Sequence, residues 1–271
     1  MKENKLYLIP TPIGNYDDIT IRALDTLKLV DIILCEDTRE TGKLLAHYDI
    51  KKQMISCHDH NENKMCSKVI ELLNKKNNLA LVTDQGTPII SDPGYKIVEQ
   101  VINEGYNVES LPGPTAFVPA LTLSTLAPQH FIFYGFLNSK NSKQKRELET
   151  LKAYPFTMIF YESPKRVEET LKNMLEILGN RKIAIVRELS KKYEETIRGH
   201  IKEILYNFKE LKGEIVIIVE GTNQDFQDLS IKQHVDLYIK DNLNLNEAMK
   251  KVAKERGVSK SIIYKEYHKN I

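Results

Sequence analysis

One stretch of the sequence, Leu79 to Pro93 (LALVTDQGTPIISDP), limits the possible folds more than any other. It opens with four apolar residues, a length that suits a buried strand. A turn-rich segment with Gly86 and Gly94 follows, and then a helical pattern begins. A strand that feeds a helix through a glycine-containing loop is the junction at which α/β proteins bind ligands. The alternative is that the two glycines only make turns.

Short apolar runs and helical patterns alternate through the first half of the chain. The predicted strands are Leu6–Ile9, Asp31–Cys35, Met54–Cys57, Leu79–Val82 and a short one near Val108. This alternation is typical of a mainly parallel sheet covered by helices on both faces. Asp17 or Asp18 is the predicted N-cap of the first helix, which carries Ile21 on its apolar face.

A second α/β unit begins after about Leu126 and has more strand per residue. Its predicted strands are Phe131–Phe133, Thr157–Tyr161, Lys182–Arg187, Thr196–Arg198 and Ile215–Val219. We expect a mixed sheet here. The polar stretch Asn138–Arg146, with four basic residues and no acidic one, is predicted to be a basic loop.

The tail of the chain is helical and basic. Asn246–Ile271 contains seven Lys or Arg residues and three Glu. Its apolar spacing resembles a helix–turn–helix, with Gly257 closing the first helix and Ser259 capping the second. The alternative is a helical hairpin that only packs on the rest of the protein. The predicted fold class is therefore α/β with two domains and a helical extension, over residues 1–122, 123–224 and 225–271.

Composition excludes several classes of protein. An apolar content of 41% allows a real core, so disorder is not expected. Three cysteines, an odd number, indicate reduced thiols and a cytosolic setting. The first residues, MKENKLYLIP, are neither a signal peptide nor a membrane span, and no other apolar run approaches spanning length. We expect a soluble, cytoplasmic protein.

Common motifs for nucleotides, hydrolysis and metal ions are missing. The sequence has no GxGxxG, no GxxxxGK[ST] and no GxSxG. Cys57, His58, His60 and Cys66 lie within ten residues of one another, but their spacing fits no standard zinc pattern. We expect no metal site.

Charged residues follow several of the predicted strands. In the first half these are Glu36–Arg39 and Asp84, and in the second half Tyr161–Arg166 and Arg187-Glu188. Because the carboxyl ends of parallel strands meet at one edge of a sheet, these residues predict a binding crevice rather than a solvated face.

Six stretches, in order, resemble one known family. They are PTPIGN at Pro10–Asn15, EDTR at Glu36–Arg39, SDPG at Ser91–Gly94, PGPTA at Pro112–Ala116, YESPKR at Tyr161–Arg166 and RELSKKYEE at Arg187–Glu195. Together they are similar to the ribosomal RNA small subunit methyltransferase I family, a branch of the tetrapyrrole methylase superfamily. Two positions depart from the family pattern: Lys165, where histidine is common, and Ser190, where threonine is usual.

The resemblance implies an S-adenosylmethionine-dependent enzyme that methylates the 2′-hydroxyl of a cytidine in 16S ribosomal RNA, at the decoding centre. It further implies a homodimer of two α/β domains with the cofactor in the cleft between them, acting on the assembled 30S subunit. Carried over by position, the cofactor contacts are Ile13, Asp84, Gly86, Thr87, Thr115, Ala116, Phe160, Tyr161, Leu189, Glu214 and Ile215.

A ribose hydroxyl is a poor nucleophile, so a carboxylate that accepts its proton would help the reaction. The candidates are Asp37 and Glu188 first, then Glu36 and Glu162, with Arg39 beside them. Asp37 and Glu188 lead because each lies close in sequence to an arginine, Arg39 or Arg187, that could keep it ionised. The alternative is that these charges form ion pairs between the domains and only shape the cleft.

Basic residues near the predicted cleft are candidates for binding RNA phosphates. They are Arg39, Lys165, Arg166, Lys143 and Arg146, with the basic tail as a further surface. Two other functions stay open: methylation of a tetrapyrrole or another small molecule, and non-enzymatic RNA binding by an assembly factor. A DNA-binding regulator that uses the tail is a third alternative.

Overall fold

A computed structural model describes residues 4–58, 61–222, 229–240 and 243–269. Residue contacts divide the chain into two compact units. The first contains Met1–Glu149 and Phe156–Glu220, and the second contains Thr150–Pro155 and Gly221–Ile271. The domain limits at 122 and 224 stay a prediction. No helix in the described parts of the chain is long and apolar enough to cross a membrane.

The first unit begins with a five-stranded sheet. Its strands are β1 (Lys5–Leu8), β2 (Ile32–Cys35), β3 (Gln53–Ser56), β4 (Leu79–Leu81) and β5 (Asn107–Ser110). They run in the order β3-β2-β4-β1-β5, and every pair is parallel. The prediction of a parallel sheet is confirmed. Because β2, β4 and β1 are neighbours, the loops that follow them lie side by side.

Helices cover both faces of this sheet. They are α1 (Ile21–Leu29), α2 (Thr38–His47), α3 (Glu62–Asn74) and α4 (Tyr95–Asn103). Leu34 and Leu81 face a core that includes Val69 of α3, whereas Ile33 and Ala80 face one that includes Leu27 of α1. All these side chains are buried, as expected for a sheet that is covered on both sides.

The predicted N-cap of α1, Asp17 or Asp18, was wrong by three or two residues. Thr20 is the N-cap, and its hydroxyl accepts a hydrogen bond from the Ala23 N–H at 3.0 Å. Asp17 and Asp18 belong to a short 3₁₀ turn that precedes it, Tyr16–Asp18. Thr20 is the extended residue directly before the helix, so only its side chain can reach the free N–H groups of the first turn.

A second five-stranded sheet completes the first unit. Its strands are β6 (Phe131–Phe136), β7 (Thr157–Glu162), β8 (Lys182–Arg187), β9 (Glu195–His200) and β10 (Ile215–Val219). The order is β6-β7-β10-β8-β9; β6 pairs with β7 in parallel and the other pairs are antiparallel. The predicted mixed sheet is confirmed. Helix α5 (Phe117–Ser124) packs on one face, and α7 (Val167–Leu178) and α8 (Ile201–Tyr206) also belong to this half.

The stretch predicted to be a basic loop is mostly helix. Helix α6 covers Asn141–Leu151 and includes most of the basic residues. Gln144 and Leu148, four positions apart, are buried on its inner face. The Gln144 amide donates to Thr170 Oγ1 of α7 at 3.0 Å. The sequence did not predict this helix because few apolar side chains mark its inner face. Its lysine, arginine, glutamine and glutamate residues nevertheless all favour helix.

In the second unit, the described residues 229–240 and 243–269 form three helices around a small core. They are α9 (Ile231–Lys240), α10 (Leu245–Glu255) and α11 (Lys260–His268). Val235, Met249 and Ile263, one from each helix, are buried together. Gly257, at φ +63°, lies between α10 and α11, and Ser259 holds the N-cap position of α11. The predicted helix–turn–helix pattern is therefore present, although the Ser259 hydroxyl pairs with Ser261 rather than with the backbone.

Candidate active site

The loops after β1 and β4 are joined by their backbones. The N–H of Thr11 donates to the Gly86 carbonyl at 2.8 Å, and the N–H of Gly86 donates to the Thr11 carbonyl at 3.0 Å. The Thr11 hydroxyl also donates to the Thr83 carbonyl. Gly86 has φ +88°, a backbone conformation that residues with a side chain rarely adopt. The positive φ therefore favours glycine here, whereas an added Cβ would meet no atom closer than 3.6 Å.

The same loop continues through unusual backbone geometry. Ile89 and Ser91 have φ of +76° and +67°. Positive φ is a genuine outlier for a β-branched residue such as isoleucine. The Thr87 hydroxyl donates to the Pro114 carbonyl at 2.9 Å and so fastens this loop to the PGPTA segment. Strained residues of this kind cluster at functional sites, where the surrounding structure holds them.

A cavity of about 460 Å³ lies between these loops and the second sheet, within the first unit. Nearly all of the predicted cofactor contacts line it: Ile13, Asp84, Gly86, Thr87, Thr115, Ala116, Tyr161, Leu189, Glu214 and Ile215. These residues come from six separate stretches of sequence, so the structure brings together what the resemblance had selected.

Phe160 is the one predicted cofactor contact whose side chain does not line the cavity. It is fully buried, it is not part of the cavity lining, and its ring packs on Tyr134 with 5.7 Å between centroids. Neighbouring side chains on a strand point to opposite faces of the sheet. Because Tyr161 faces the cavity, the Phe160 side chain must face away from it.

Other lining residues were not predicted as contacts. Ile90, Ser91 and Asp92 belong to the loop after β4, and Phe136 ends β6. The first three lie in the stretch that the sequence already emphasised, so extending the contacts along that loop would have found them. No sequence signal indicated Phe136.

Five carboxylates line the cavity: Glu36, Asp84, Asp92, Glu162 and Glu214. Burial raises the pKa of the Asp84 carboxyl, and the charge of Asp37 raises it further. The Asp37 N–H donates to Asp84 Oδ1 at 3.1 Å, which opposes part of that rise. Glu162 and Glu214 are balanced by Arg166 and Lys191. Glu36, Asp84 and Asp92 therefore give the cavity an acidic wall that suits a cationic ligand.

Asp37 does not line the cavity. It is the N-cap of α2, and its carboxylate accepts hydrogen bonds from the Arg39 N–H and guanidinium at 2.6–3.2 Å. The Arg39 guanidinium holds the pKa of Asp37 at about 2. The predicted Asp37–Arg39 pair is therefore present, but it joins the N-cap of α2 to the second residue of the same helix and not two domains.

Glu188 makes no direct ion pair with Arg187, although the charge of Arg187 is one of the causes that lower the pKa of Glu188, as predicted. Glu188 accepts hydrogen bonds from Lys191 Nζ and the Glu214 N–H, both at 3.1 Å, while Arg187 pairs with Glu195 on the neighbouring strand at 2.7 Å. Burial alone would raise the pKa of Glu188, but the Glu214 N–H and the Lys191 ammonium hold it below its usual range. Glu188 has φ +50°, so the chain turns after Arg187 and the two side chains diverge.

Glu162 and Arg166 form a buried pair. Glu162 Oε1 accepts hydrogen bonds from the Ser163 N–H and from Arg166 Nε, both at 2.7 Å, and Oε2 accepts one from Thr170 Oγ1 at 2.7 Å. Arg166 also donates to the Leu137 carbonyl. The Glu162 side chain is only 1% exposed. The guanidinium of Arg166 is thus engaged inside the protein, and its predicted role in phosphate binding does not fit this arrangement.

The other basic candidates are accessible. Lys165, Lys143 and Arg146 are exposed, the last two on α6. Arg39 pairs with Asp37, yet its side chain is 85% exposed. Among the described residues no group of three or more His, Cys, Asp or Glu side chains could hold a metal ion. His60, part of the cluster considered for zinc, lies outside the described residues.

Comparisons with known proteins agree on one family. Residues 5–205 match the family model of tetrapyrrole (corrin/porphyrin) methylases. Ribosomal RNA small subunit methyltransferase I of Bacillus subtilis (strain 168) is 48% identical over 273 residues, covering 97% of this chain and 94% of that protein. The protein of the same name from Escherichia coli O157:H7 is 39% identical with the same coverage.

Solved structures share the fold at low sequence identity. Uroporphyrin-III C-methyl transferase from Thermus thermophilus, complexed with S-adenyl homocysteine, has a TM-score of 0.60 and 17% identity, covering 80% of this chain and 97% of that one. Diphthine synthase has a TM-score of 0.63 and 9% identity, covering 83% and 94%. These structural matches support the fold alone.

Proposed function

The chain belongs to the ribosomal RNA small subunit methyltransferase I family of tetrapyrrole methylases, and we propose that it transfers a methyl group from S-adenosylmethionine to small-subunit ribosomal RNA. The observation that carries this proposal is the identity of 39–48% to relatives of that name over nearly the whole chain. In its finer form, the acceptor is the 2′-hydroxyl of a cytidine in 16S ribosomal RNA at the decoding centre. That detail rests on the sequence resemblance.

The residues of the cavity fit S-adenosylmethionine. A volume of about 460 Å³ lies within the range typical of small-ligand sites. Ile13, Leu189 and Ile215 offer apolar surface for a flat base, and the acidic wall that includes Asp84 suits a cation. When bound there, the cofactor supplies a methyl group on a positively charged sulfur.

Methyl transfer is an in-line displacement, so the protein must align the two reacting groups and exclude water. The loops of Gly86 and Thr87 are held by the hydrogen bonds to Thr11 and Pro114 before any ligand arrives. We therefore assign to these loops the positioning of the cofactor. The wall formed by Tyr161 and Leu189 keeps water from the opposite side.

We assign proton acceptance to Glu36. It lines the cavity at the carboxyl end of β2, whereas Asp37 and Glu188 do not line it. A carboxylate with a pKa of about 2, such as Asp37, is a weak base at neutral pH. The ion pair of Asp37 with Arg39 then holds the backbone next to Glu36. Glu162 holds the turn after β7, where Ser163 and Pro164 line the same cavity.

A variant tests this assignment. Glu36→Gln should lower kcat by roughly 10²- to 10⁴-fold, the usual contribution of a general base, and leave the affinity for S-adenosylhomocysteine within about twofold. Glu40→Gln is the matched control, because Glu40 lies one helical turn away, is exposed and pairs with Lys43. An unchanged kcat for Glu36→Gln would remove it from the proton transfer.

Exposed basic residues would bind RNA phosphates around the cavity. Lys165 directly follows the lining residue Pro164, and Lys143 and Arg146 project from α6. Binding through such residues weakens as the salt concentration rises, with a slope that reports the number of phosphates contacted. The basic helices α10 and α11 are a further candidate surface.

The substrate form and the oligomeric state are also part of the proposal. We expect the assembled 30S subunit rather than naked RNA to be methylated, in the cytoplasm, and we expect a homodimer. Mass measurement in solution tests the second point. A monomer at the concentrations of the assay would overturn it.

The deciding experiment measures transfer of a labelled methyl group to 30S subunits, naked 16S RNA and a tetrapyrrole in parallel. Label recovered as 2′-O-methylcytidine after digestion to nucleosides supports the full proposal. Label only in the tetrapyrrole would replace it with a small-molecule methylase. RNA binding without any affinity for S-adenosylhomocysteine would instead indicate an assembly factor with no catalytic role.

A further inference from the structure

A β-bulge in β6 determines where Phe136 points. Phe133 pairs with Ile159 and Gly135 pairs with Phe160, so Tyr134 is an extra residue in β6. After the bulge, Phe136 pairs with Tyr161. Gly135, at φ +81°, makes this geometry possible. Bulges in parallel pairs are rare, and bulges in general occur next to active sites, where they re-aim a side chain.

Without the bulge, Phe136 would lie on the opposite face of the sheet. In a regular strand, residues 134 and 136 share a face, and the Tyr134 ring packs on Phe160, away from the cavity. With the bulge, the Phe136 ring lies 5.6 Å from that of Tyr161 and lines the cavity. The irregularity therefore moves one aromatic side chain from the core face to the cavity face.

Phe136 is the exposed end of an aromatic row. Phe117 stacks on Phe133 at 4.5 Å, and Phe133 contacts Tyr161 at 5.0 Å. Phe136 continues the row past Tyr161 and is 53% exposed. Burial of such a side chain would stabilise the fold, so the bulge gives up stability to hold this ring at the cavity, partly in solvent.

We infer that the base of the target nucleotide stacks on Phe136. This inference rests on the proposed function. To bring one ribose hydroxyl into this recessed cavity, the enzyme has to separate that nucleotide from its neighbours, and unstacked bases are received on aromatic side chains. A phenylalanine offers only a face and no hydrogen bond, which suits a base and not a phosphate. Lys165 is exposed and directly follows the lining residue Pro164, so it is available for a neighbouring phosphate.

The inference limits what Phe136 contributes. Stacking accepts every base, because each has a π face. Phe136 therefore positions the nucleotide and does not select its identity. Any preference for cytidine must come from polar groups of the cavity wall.

Kinetics of two variants test the role. Stacking contributes about 1–3 kcal/mol per base, so Phe136→Ala should raise KM for the RNA substrate by roughly 5- to 150-fold, with the affinity for S-adenosylhomocysteine within about twofold. Phe131→Ala is the matched control: Phe131 lies on the same strand and is 42% exposed, but it is not among the lining residues. Phe136→Trp should restore the wild-type KM.

The tryptophan variant also gives a direct readout. The chain contains no tryptophan, so Phe136→Trp carries a single indole fluorophore. Its emission should be quenched by the RNA substrate and unchanged by S-adenosylhomocysteine. Quenching by S-adenosylhomocysteine, or a matching loss of affinity for it in Phe136→Ala, would show that the ring contacts the cofactor instead and would overturn the inference.

The two proposals fail in different ways. If the wild-type protein methylates small-subunit RNA and Phe136→Ala does so with unchanged KM, only the role of Phe136 is wrong. If Phe136→Ala changes the mass in solution, the ring belongs to an interface between two copies. If the wild-type protein methylates no ribosomal RNA, the proposed function fails, and the stacking inference falls with it.

Discussion

Replacing Glu162 by glutamine should mainly destabilise the fold. Its carboxylate accepts hydrogen bonds from the Ser163 N–H, the Arg166 guanidinium and the Thr170 hydroxyl at 2.6–2.7 Å. A glutamine has the same size but only one side-chain oxygen. Its NH₂ group would face hydrogen-bond donors and could not accept a hydrogen bond from them. Arg166, whose side chain is 27% exposed, would then keep its charge without a carboxylate beside it.

The magnitude follows from the burial of the pair. Removing one partner of a buried ion pair costs about 3–5 kcal/mol, more than any single hydrogen bond would suggest. For a unit of roughly 200 residues, 1 kcal/mol shifts the melting temperature by about 2–4 °C. Glu162→Gln should therefore lower the Tm of the first unit by roughly 6–20 °C.

Two further variants sharpen the measurement. Glu168→Gln is the matched control, because Glu168 pairs with Lys172 four residues away on the same helix and both side chains are more than half exposed. An exposed pair contributes about 0–1 kcal/mol, so its Tm should hardly move. The double variant Glu162→Gln/Arg166→Gln should be less destabilised than the sum of the two single variants, because neither charge is then left alone.

Thermal and urea unfolding would give these values, and methyl transfer at a temperature below every Tm would give the activity. The reasoning fails if Glu162→Gln folds as stably as the wild type but loses kcat. Glu162 would then take part in the chemistry directly, as the sequence allowed.

Two other predictions concern the loops of the first sheet. Gly86→Val should abolish binding of S-adenosylhomocysteine in calorimetry, because a β-branched residue does not accept φ +88°. Gly105→Val is the control: Gly105 has φ +76°, but no atom lies within 4 Å of an added Cβ. This variant should lower the stability of the protein and leave its affinity for S-adenosylhomocysteine unchanged. Asp37→Asn should flatten the dependence of stability on pH. The pKa of Asp37 in the folded protein, about 2, lies below its pKa in the unfolded chain. The stabilising contribution of Asp37 is therefore present above about pH 4 and is lost as the pH falls towards 2. An equal slope for wild type and Asp37→Asn between pH 4 and pH 2 would contradict the ion pair with Arg39.

The sequence predicted the strands, and the edge of the sheet at which their loops meet, because both follow from patterns within short stretches of the chain. Apolar runs such as Lys182–Arg187 have their observed limits, and the loops after β1, β2 and β4 meet as a parallel sheet requires. The same local logic gave the Asp37–Arg39 pair. An N-cap residue and the second residue of its helix are always close in space.

Side-chain partners further apart could not be predicted in this way. Arg187 and Glu188 are adjacent, yet strand geometry sends one toward Glu195 and a positive φ turns the other toward Lys191. Phe136 is a stronger case. Its position depends on one extra residue in the pairing of β6 with β7, and no pattern within β6 alone reveals a register shift.

The hydrogen bonds between Thr11 and Gly86 also affect which adenosine compounds the cavity accepts. Loops that bind nucleotide phosphates present free backbone N–H groups to them. Here the Gly86 N–H is already bonded to the Thr11 carbonyl, and the wall beside it carries the carboxylates of Asp84 and Asp92. A triphosphate placed in this cavity would meet negative charge where it needs donors. We therefore expect the cavity to disfavour ATP, although ATP and S-adenosylmethionine share the same adenosine.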